Sequence, residues 1–221
     1  AGCSSPTSAV TPNLTRSIGY FKASNTSGIG LFGGAVALSA DGNTLAVGAI
    51  SEGSNATGIN GDQANNSASG AGAVYVFTRS GGTWSQQAYL KASNAEANDI
   101  FGSVVALSGD TIVVSAQQED SSQTTITNGS TASANNDVTN AGAGYVFVRN
   151  GSTWRQQVYL KAPNAGANDL FGWNVGISGD TIAVSAEGED SNQTTITNGN
   201  TASADNTAVN AGAAYVFTSG N

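Results

Sequence analysis

The 221 residues hold seven lysines and arginines against 15 aspartates and glutamates, no histidine, no methionine and one cysteine, for a formal net charge of −8 and a pI near 4.1. The absence of histidine excludes Ser-His and Cys-His nucleophile pairs, an imidazole general base and His-ligated transition-metal sites. The acidic balance argues against a surface that tracks nucleic-acid phosphates, which needs clustered Lys and Arg.

In chain order, Ala1 to Ser8 is small and polar and carries the only cysteine, Cys3. Ala-Gly-Cys resembles the end of a bacterial lipobox, although a processed lipoprotein would begin at the cysteine. Lipidation, an intermolecular disulfide and an inert thiol in a tail are all open to Cys3. Each of them fits an exported protein. No stretch reaches the roughly 18 apolar residues of a membrane span, and no segment has a capped 3.6-residue apolar period.

Internal repetition decides the organisation. Tyr20-Phe21-Lys22-Ala23-Ser24-Asn25 returns as Tyr89-Leu90-Lys91-Ala92-Ser93-Asn94 and as Tyr159-Leu160-Lys161-Ala162-Pro163-Asn164. Phe32-Gly33, Phe101-Gly102 and Phe171-Gly172 keep the same period, as do the Tyr-Val-Phe triplets that begin at Tyr75, Tyr145 and Tyr215. Within one repeat, Phe101 to Leu107 is expected as a strand, Ser108-Gly109-Asp110 as a tight turn and Thr111 to Ala116 as the second strand of a hairpin. After a long polar connection, Gly142 to Arg149 reads as a third strand, Asn150-Gly151 as a turn and Thr153 to Lys161 as a fourth. The fold class is therefore all-β, with three four-stranded repeats of about 70 residues of the β-propeller blade type. The expected boundaries are an extension at 1–17, a fourth-type strand with connector at 18–31, and blade repeats at 32–100, 101–170 and 171–221, the last without its fourth strand.

Phe-Gly opening a strand, Val-Gly-Ala or Val-Ser-Ala closing the next, and Gly-Ala-x-Tyr-Val-Phe after it resemble the FG-GAP repeat of integrin-α-type propellers. The match is closest to the bacterial extracellular version with Thr-Trp-x-Gln-Gln-x-Tyr-Leu-Lys-Ala, and it covers residues 18 to 218. The resemblance implies a propeller at the outer surface of, or outside, a bacterial cell, in adhesion or scaffolding more often than in catalysis. Integrin-type blades often carry an Asp-x-Asp-x-Asp-Gly calcium loop in the first hairpin. Here Asp41, Asp110 and Asp180 stand alone in those turns, too few for about six oxygen ligands, and read as turn residues.

The long loops at 50–70, 117–140 and 187–210 hold the other acidic groups. The pairs Glu119-Asp120 and Glu189-Asp190, with Glu52 and Asp62 in the first copy, are the candidate ligands for Ca2+; satisfaction of loop backbone by Asx and Ser/Thr turns is the alternative. No Lys or Arg lies in these loops, so one face of a propeller would be acidic and rich in hydroxyls. Arg79, Arg149 and Arg155 neighbour Trp84 or Trp154 and are expected to pack their stems there. Trp173 is expected to fill core or channel. Ile112, Val114, Tyr145, Phe147 and their equivalents Ile182, Val184, Tyr215, Phe217 are the expected inward residues.

No catalytic residue emerges, because neighbouring carboxylates on one loop do not flank a substrate bond at the separation glycoside chemistry requires. Three blades fall short of the roughly four to eight that close a ring. The expected function is thus a non-enzymatic extracellular structural subunit, a homo-oligomer or polymer joined by strand pairing. Its assembly residues would be Tyr20, Phe21 and Lys22 on one copy and Tyr215 and Phe217 on the next. A cell-surface adhesion or ligand-binding propeller, with or without calcium, and a fragment of a longer propeller are the alternatives. No cofactor is required, nucleic acid is not a partner, and a membrane enters only through a lipid on Cys3.

Overall fold

Runs of β-branched and aromatic residues between Gly-Asp, Gly-Gly and Asn-Gly turns fold into twelve strands and no helix among the described residues, which are 17–26 and 30–218 of a computed structural model. Cys3 lies outside them. Three antiparallel sheets result. In the first, β1 (Phe32–Leu38), β2 (Thr44–Ala49), β3 (Ala73–Ser80) and β4 (Thr83–Leu90) pair in sequence order. The second has β5 (Val105–Ser108), β6 (Thr111–Ala116), β8 (Ala143–Asn150) and β9 (Thr153–Leu160) in the same order, and gains β7 (Thr127–Asn128) on its outer edge. The third consists of β10 (Phe171–Ser178), β11 (Thr181–Ala186) and β12 (Ala213–Thr218). The sheets follow the repeats in order and are called blades 1 to 3 after the propeller blades that FG-GAP-like repeats suggest; among the described residues they form an open array and no closed ring.

Pairing in register explains the recurring letters. Val47 faces Tyr75, Val114 faces Tyr145 and Val184 faces Tyr215, so the Tyr-Val-Phe triplet places Tyr and Phe on one face of each blade and Val on the other. Phe101 packs edge-on against Tyr145 and Phe147, with ring centroids 5.3 and 6.1 Å away, and Phe171 does the same with Tyr215 and Phe217 at 5.4 and 6.1 Å. The face of blade 1 that carries Ala46, Val74 and Val76 meets the face of blade 2 that carries Ile112, Val114, Tyr145 and Phe147. The other face of blade 2, with Val113 and Val146, meets Val184, Tyr215 and Phe217 of blade 3. Each junction thus joins a small aliphatic face to an aromatic one.

The chain crosses from blade to blade at a close backbone approach. Gly72 and Gly142 bridge in parallel to Phe101 and Phe171, and a Cβ on either glycine would lie 2.1 Å from the phenylalanine carbonyl oxygen. Ile100 and Leu170, just before those phenylalanines, hold φ of 53° and 57°, a conformation that bulky side chains rarely adopt. Backbone bonds from Ile100 N to Gly70 O and from Leu170 N to Asn140 O fix them there.

Three sequence expectations need correction. The strand expected over Phe101 to Leu107 begins only at Val105, because the turn at Ile100–Ser103 occupies its first residues. Ile18 to Ala23 forms no strand: no neighbouring strand offers its backbone a ladder, and Phe21 instead packs edge-on against Phe77 and Trp84 at 5.1 and 5.3 Å. Trp173 is 40 % exposed rather than filling a core, since it lies on the outward side of the terminal blade.

Candidate functional site

The repeated Tyr-Leu-Lys-Ala-Ser-Asn segment builds the most elaborate polar cluster of the molecule. It ends the fourth strand of one blade, delivers its lysine back to the long loop of that blade, and carries its asparagine forward to the next. In blade 1, Lys91 Nζ meets Glu52 Oε2 at 2.9 Å, with both side chains almost wholly buried at 0 and 3 % exposure. In blade 2, Lys161 Nζ meets Glu119 Oε2 at 2.9 Å in equal burial. The second oxygen of each glutamate accepts from the asparagine of the preceding segment: Asn25 Nδ2 to Glu52 Oε1 at 2.9 Å, Asn94 Nδ2 to Glu119 Oε1 at 3.0 Å, and Asn164 Nδ2 to Glu189 Oε1 at 2.8 Å. The asparagine oxygen in turn accepts the hydroxyl of the strand tyrosine, Tyr75 to Asn25, Tyr145 to Asn94 and Tyr215 to Asn164.

Each of these clasps ties three pieces of chain that lie far apart in sequence. A buried carboxylate is tolerable only with opposite charge and hydrogen-bond donors around it, and here the donors come from two successive blades. Burial works against ionised Glu52, yet the Lys91 ammonium, the Tyr89 hydroxyl and Ser54 N–H outweigh it and hold the carboxyl below its ordinary value. Burial pulls the Lys91 and Lys161 ammonium groups below the usual lysine range against the glutamates that raise them. The same burial, with the glutamate charge nearby, raises the phenols of Tyr75, Tyr145 and Tyr215. These tyrosines are donors, not acids or nucleophiles, at neutral pH.

The candidate calcium ligands are placed as follows. Glu52 and Glu119 face inward into the clasps. Asp120 Oδ1 accepts Asn140 N at 2.7 Å and Asp190 Oδ1 accepts Asn210 N at 2.6 Å, so both cap the return of a long loop. Asp62 is exposed and accepts Ala64 N at 2.8 Å. Glu189 is buried beside Asn164. No group of three or more His, Cys, Asp or Glu gathers in metal-binding proximity among the described residues. The uniformly acidic long-loop face is also corrected: Glu52, Glu119, Glu189, Asp99 and Asp169 are buried. What the long loops expose is mainly hydroxyls and amides, from Thr124, Thr125 and Asn128 to their repeats Thr194, Thr195 and Asn198.

Arg79 and Arg149 lie over the rings of Trp84 and Trp154 at 5.5 and 5.3 Å, and Arg149 also pairs with the turn residue Asp110 at 2.5 Å. Of the proposed assembly residues, Tyr20 is 89 % exposed and Lys22 is exposed without an ion pair among the described residues, while Phe21, Tyr215 and Phe217 are half-buried. Sequence reasoning singles out Lys22 for assembly and gives no role to Lys91 and Lys161, although three copies of Lys in a chain with seven basic residues are a signal.

Comparison with known families finds the FG-GAP repeat at residues 84–147 and 154–217, together more than half of the chain. Each matched unit begins in the fourth strand of one blade and ends in the third strand of the next. Sequence unit and blade are thus one strand out of phase, which is the relation the clasps exploit. No curated protein matches. On the repeats at 84–147 and 154–217, and on the sheets they fold into, the chain belongs to the FG-GAP repeat family.

Proposed function

We propose that the chain is a non-enzymatic, extracellular propeller-type module that binds a cell-surface or matrix ligand through its long loops. One observation carries the reading. The buried Glu52, Glu119 and Glu189 are each taken up by an asparagine, and the first two also by a lysine, in structural clasps, while the loops at 117–140 and 187–210 present runs of exposed Thr, Asn and Ser with no cation among them. Loops on a rigid β scaffold are where binding residues concentrate, and FG-GAP repeats are consistent with adhesion or ligand binding. Such a surface suits hydrogen bonding to glycans or polar protein surfaces.

A panel of glycans and matrix proteins on a biosensor tests it. The wild-type chain is expected to bind at least one class, and replacement of Thr124, Thr125, Thr194 and Thr195 by alanine to abolish that binding at unchanged melting temperature. Binding that survives the four replacements, or turnover of any of the polysaccharides, overturns the reading.

A further inference from the structure

In two of the clasps a single carboxylate holds an amine and a carboxamide side by side. Glu52 takes Lys91 Nζ on Oε2 at 2.9 Å and Asn25 Nδ2 on Oε1 at 2.9 Å. Glu119 takes Lys161 Nζ on Oε2 at 2.9 Å and Asn94 Nδ2 on Oε1 at 3.0 Å. Both lysines are buried just past the ends of β4 and β9. Charge pairing accounts for the lysine and the glutamate, but not for the way the asparagine is held. Each carboxamide is fixed at both of its ends. Nδ2 donates also to a carbonyl of the long loop, Gln63 O at 3.2 Å for Asn25 and Ser133 O at 2.6 Å for Asn94. Oδ1 accepts the hydroxyl of Tyr75 in the first case and of Tyr145 in the second. The nitrogen therefore faces the glutamate and the oxygen faces a phenol.

These contacts are the parts of an amide exchange. A hydroxyl on Oδ1 polarises the carbonyl and is already placed where negative charge builds when a nucleophile adds to Cγ. An amine attacks only in its neutral form, and desolvation favours that form. Burial pulls the Lys91 and Lys161 ammonium groups below the usual lysine range against the glutamates that raise them, and the glutamate oxygen is in contact to receive the proton. Glu52 is itself held below its ordinary value, so the ion pair is the resting form and the neutral pair is the reactive minor one. Mooring both groups on one carboxylate replaces an encounter in solution by a reaction within one site.

We infer that Lys91 with Asn25, and Lys161 with Asn94, join in side-chain amide bonds, Glu52 and Glu119 carrying the protons. In the first pair Glu52 removes a proton from the Lys91 ammonium, the Nζ lone pair adds to Asn25 Cγ, and the Tyr75 hydroxyl stabilises the charge on Oδ1. The carboxyl passes its proton to Nδ2, the Cγ–Nδ2 bond breaks and ammonia leaves, and the surplus proton on Nζ returns to Glu52. An ammonium, a carboxylate and a carboxamide thus become a secondary amide, a neutral carboxylic acid and ammonia, with no oxidant or reductant. Both buried charges disappear, and with them the desolvation penalty that a buried ion pair carries. Asn25 and Asn94 precede the first strands of blades 1 and 2, and Lys91 and Lys161 follow the fourth. Each bond therefore closes a whole blade covalently, restricting the unfolded chain as a disulfide does. This inference stands apart from the loop-ligand reading, since none of its residues is an exposed threonine of the long loops.

Intact-mass spectrometry of the denatured full chain tests it. The wild type is expected to be lighter than its sequence mass by one ammonia per bond, two in all, and its tryptic digest to contain branched peptides linking Lys91 to Asn25 and Lys161 to Asn94. Lys91→Arg and Lys161→Arg keep the buried cation and remove the amine, and each is expected to fall short of its own sequence mass by one ammonia only. Glu119→Gln keeps the shape of the carboxylate without its proton uptake and is expected to lose the second bond in the same way. A wild type at full sequence mass after prolonged incubation of the folded chain overturns the inference. So does an ammonia loss that persists in the Lys91→Arg, Lys161→Arg double variant, which assigns it to succinimides at Asn-Gly steps such as Asn128-Gly129 and Asn150-Gly151. Where a variant fails to fold, the wild-type digest decides, because absence of the branched peptides also overturns the inference.

Discussion

Lys161→Met probes the buried clasp most directly. The substitution keeps most of the apolar stem and deletes the ammonium, leaving Glu119 at 2 % exposure with Asn94 and Ser121 as donors and no counter-charge. Breaking a buried pair by removing one partner costs about 3–5 kcal/mol, because the remaining charge is uncompensated. Glu119→Gln in the Lys161→Met background removes that charge while keeping an acceptor for Asn94, and is expected to recover about 1–3 kcal/mol, the penalty of an unsatisfied buried group. Urea unfolding followed by tryptophan fluorescence gives both numbers, provided the slope with denaturant is unchanged between variants. A loss under about 1 kcal/mol for Lys161→Met would place the pair in the range of exposed ion pairs. Together with no recovery from Glu119→Gln, that result refutes the clasp as a buried electrostatic unit.

Phe147→Ala, in a side chain wholly buried between blades 1 and 2, is expected to cost about 3–5 kcal/mol in the same assay; a loss under about 1 kcal/mol would contradict the blade register. Asp99 gives a pH signature: burial, together with the charges of Glu119, Glu96 and Asp120, pushes its carboxyl up to about 7 against the Glu96 N–H that lowers it. The folded chain therefore holds a proton that the unfolded chain has released above pH 3.8, so this group's contribution is full below that pH and is lost as pH rises through about 7. Thermal melts are expected to show Asp99→Asn losing less stability than wild type between pH 5 and pH 8, by up to about 1.4 kcal/mol per pH unit; parallel profiles would remove Asp99 as the cause. Chelation is expected to leave the melting temperature unchanged, because Glu52 and Glu119 are held by lysines and Asp120 and Asp190 by loop backbone, whereas a drop restored by added calcium would return the long loops to metal binding.

The repeats, the hairpins and the inward Tyr and Phe positions could be read from the sequence, because a two-residue alternation beside Gly-Asp and Asn-Gly turns leaves a strand little choice of face. Ile112, Val114, Tyr145 and Phe147 are all fully buried. Blade 3 equivalents Ile182, Tyr215 and Phe217 also face blade 2 but are only half-buried, since β12 is the edge of its sheet among the described residues and a groove stays open beside it. Lys91 and Lys161 draw no role from the sequence because lysine is almost never fully buried unless paired, and each partner lies 39 or 42 residues away in a loop without regular structure. For the same reason Glu52 and Glu119 were assigned to an acidic surface. Composition counts charges, but only the fold shows which of them meet. The strand at Thr127–Asn128 is too short to stand out from the polar loop that contains it, and its pairing depends on the edge of β9.

The central claim is that an FG-GAP blade is closed by its fourth strand and locked by the lysine at the end of that strand. Hydrogen exchange resolved along the chain, at a concentration where the mass is 21.9 kDa, tests this most directly. The account predicts slow exchange for β6 and β8, whose sheet is completed by β9 and Lys161, and fast exchange for β12, which has no fourth strand beside it among the described residues. Equal, strong protection of β12 and β8 in the 21.9 kDa species would contradict it.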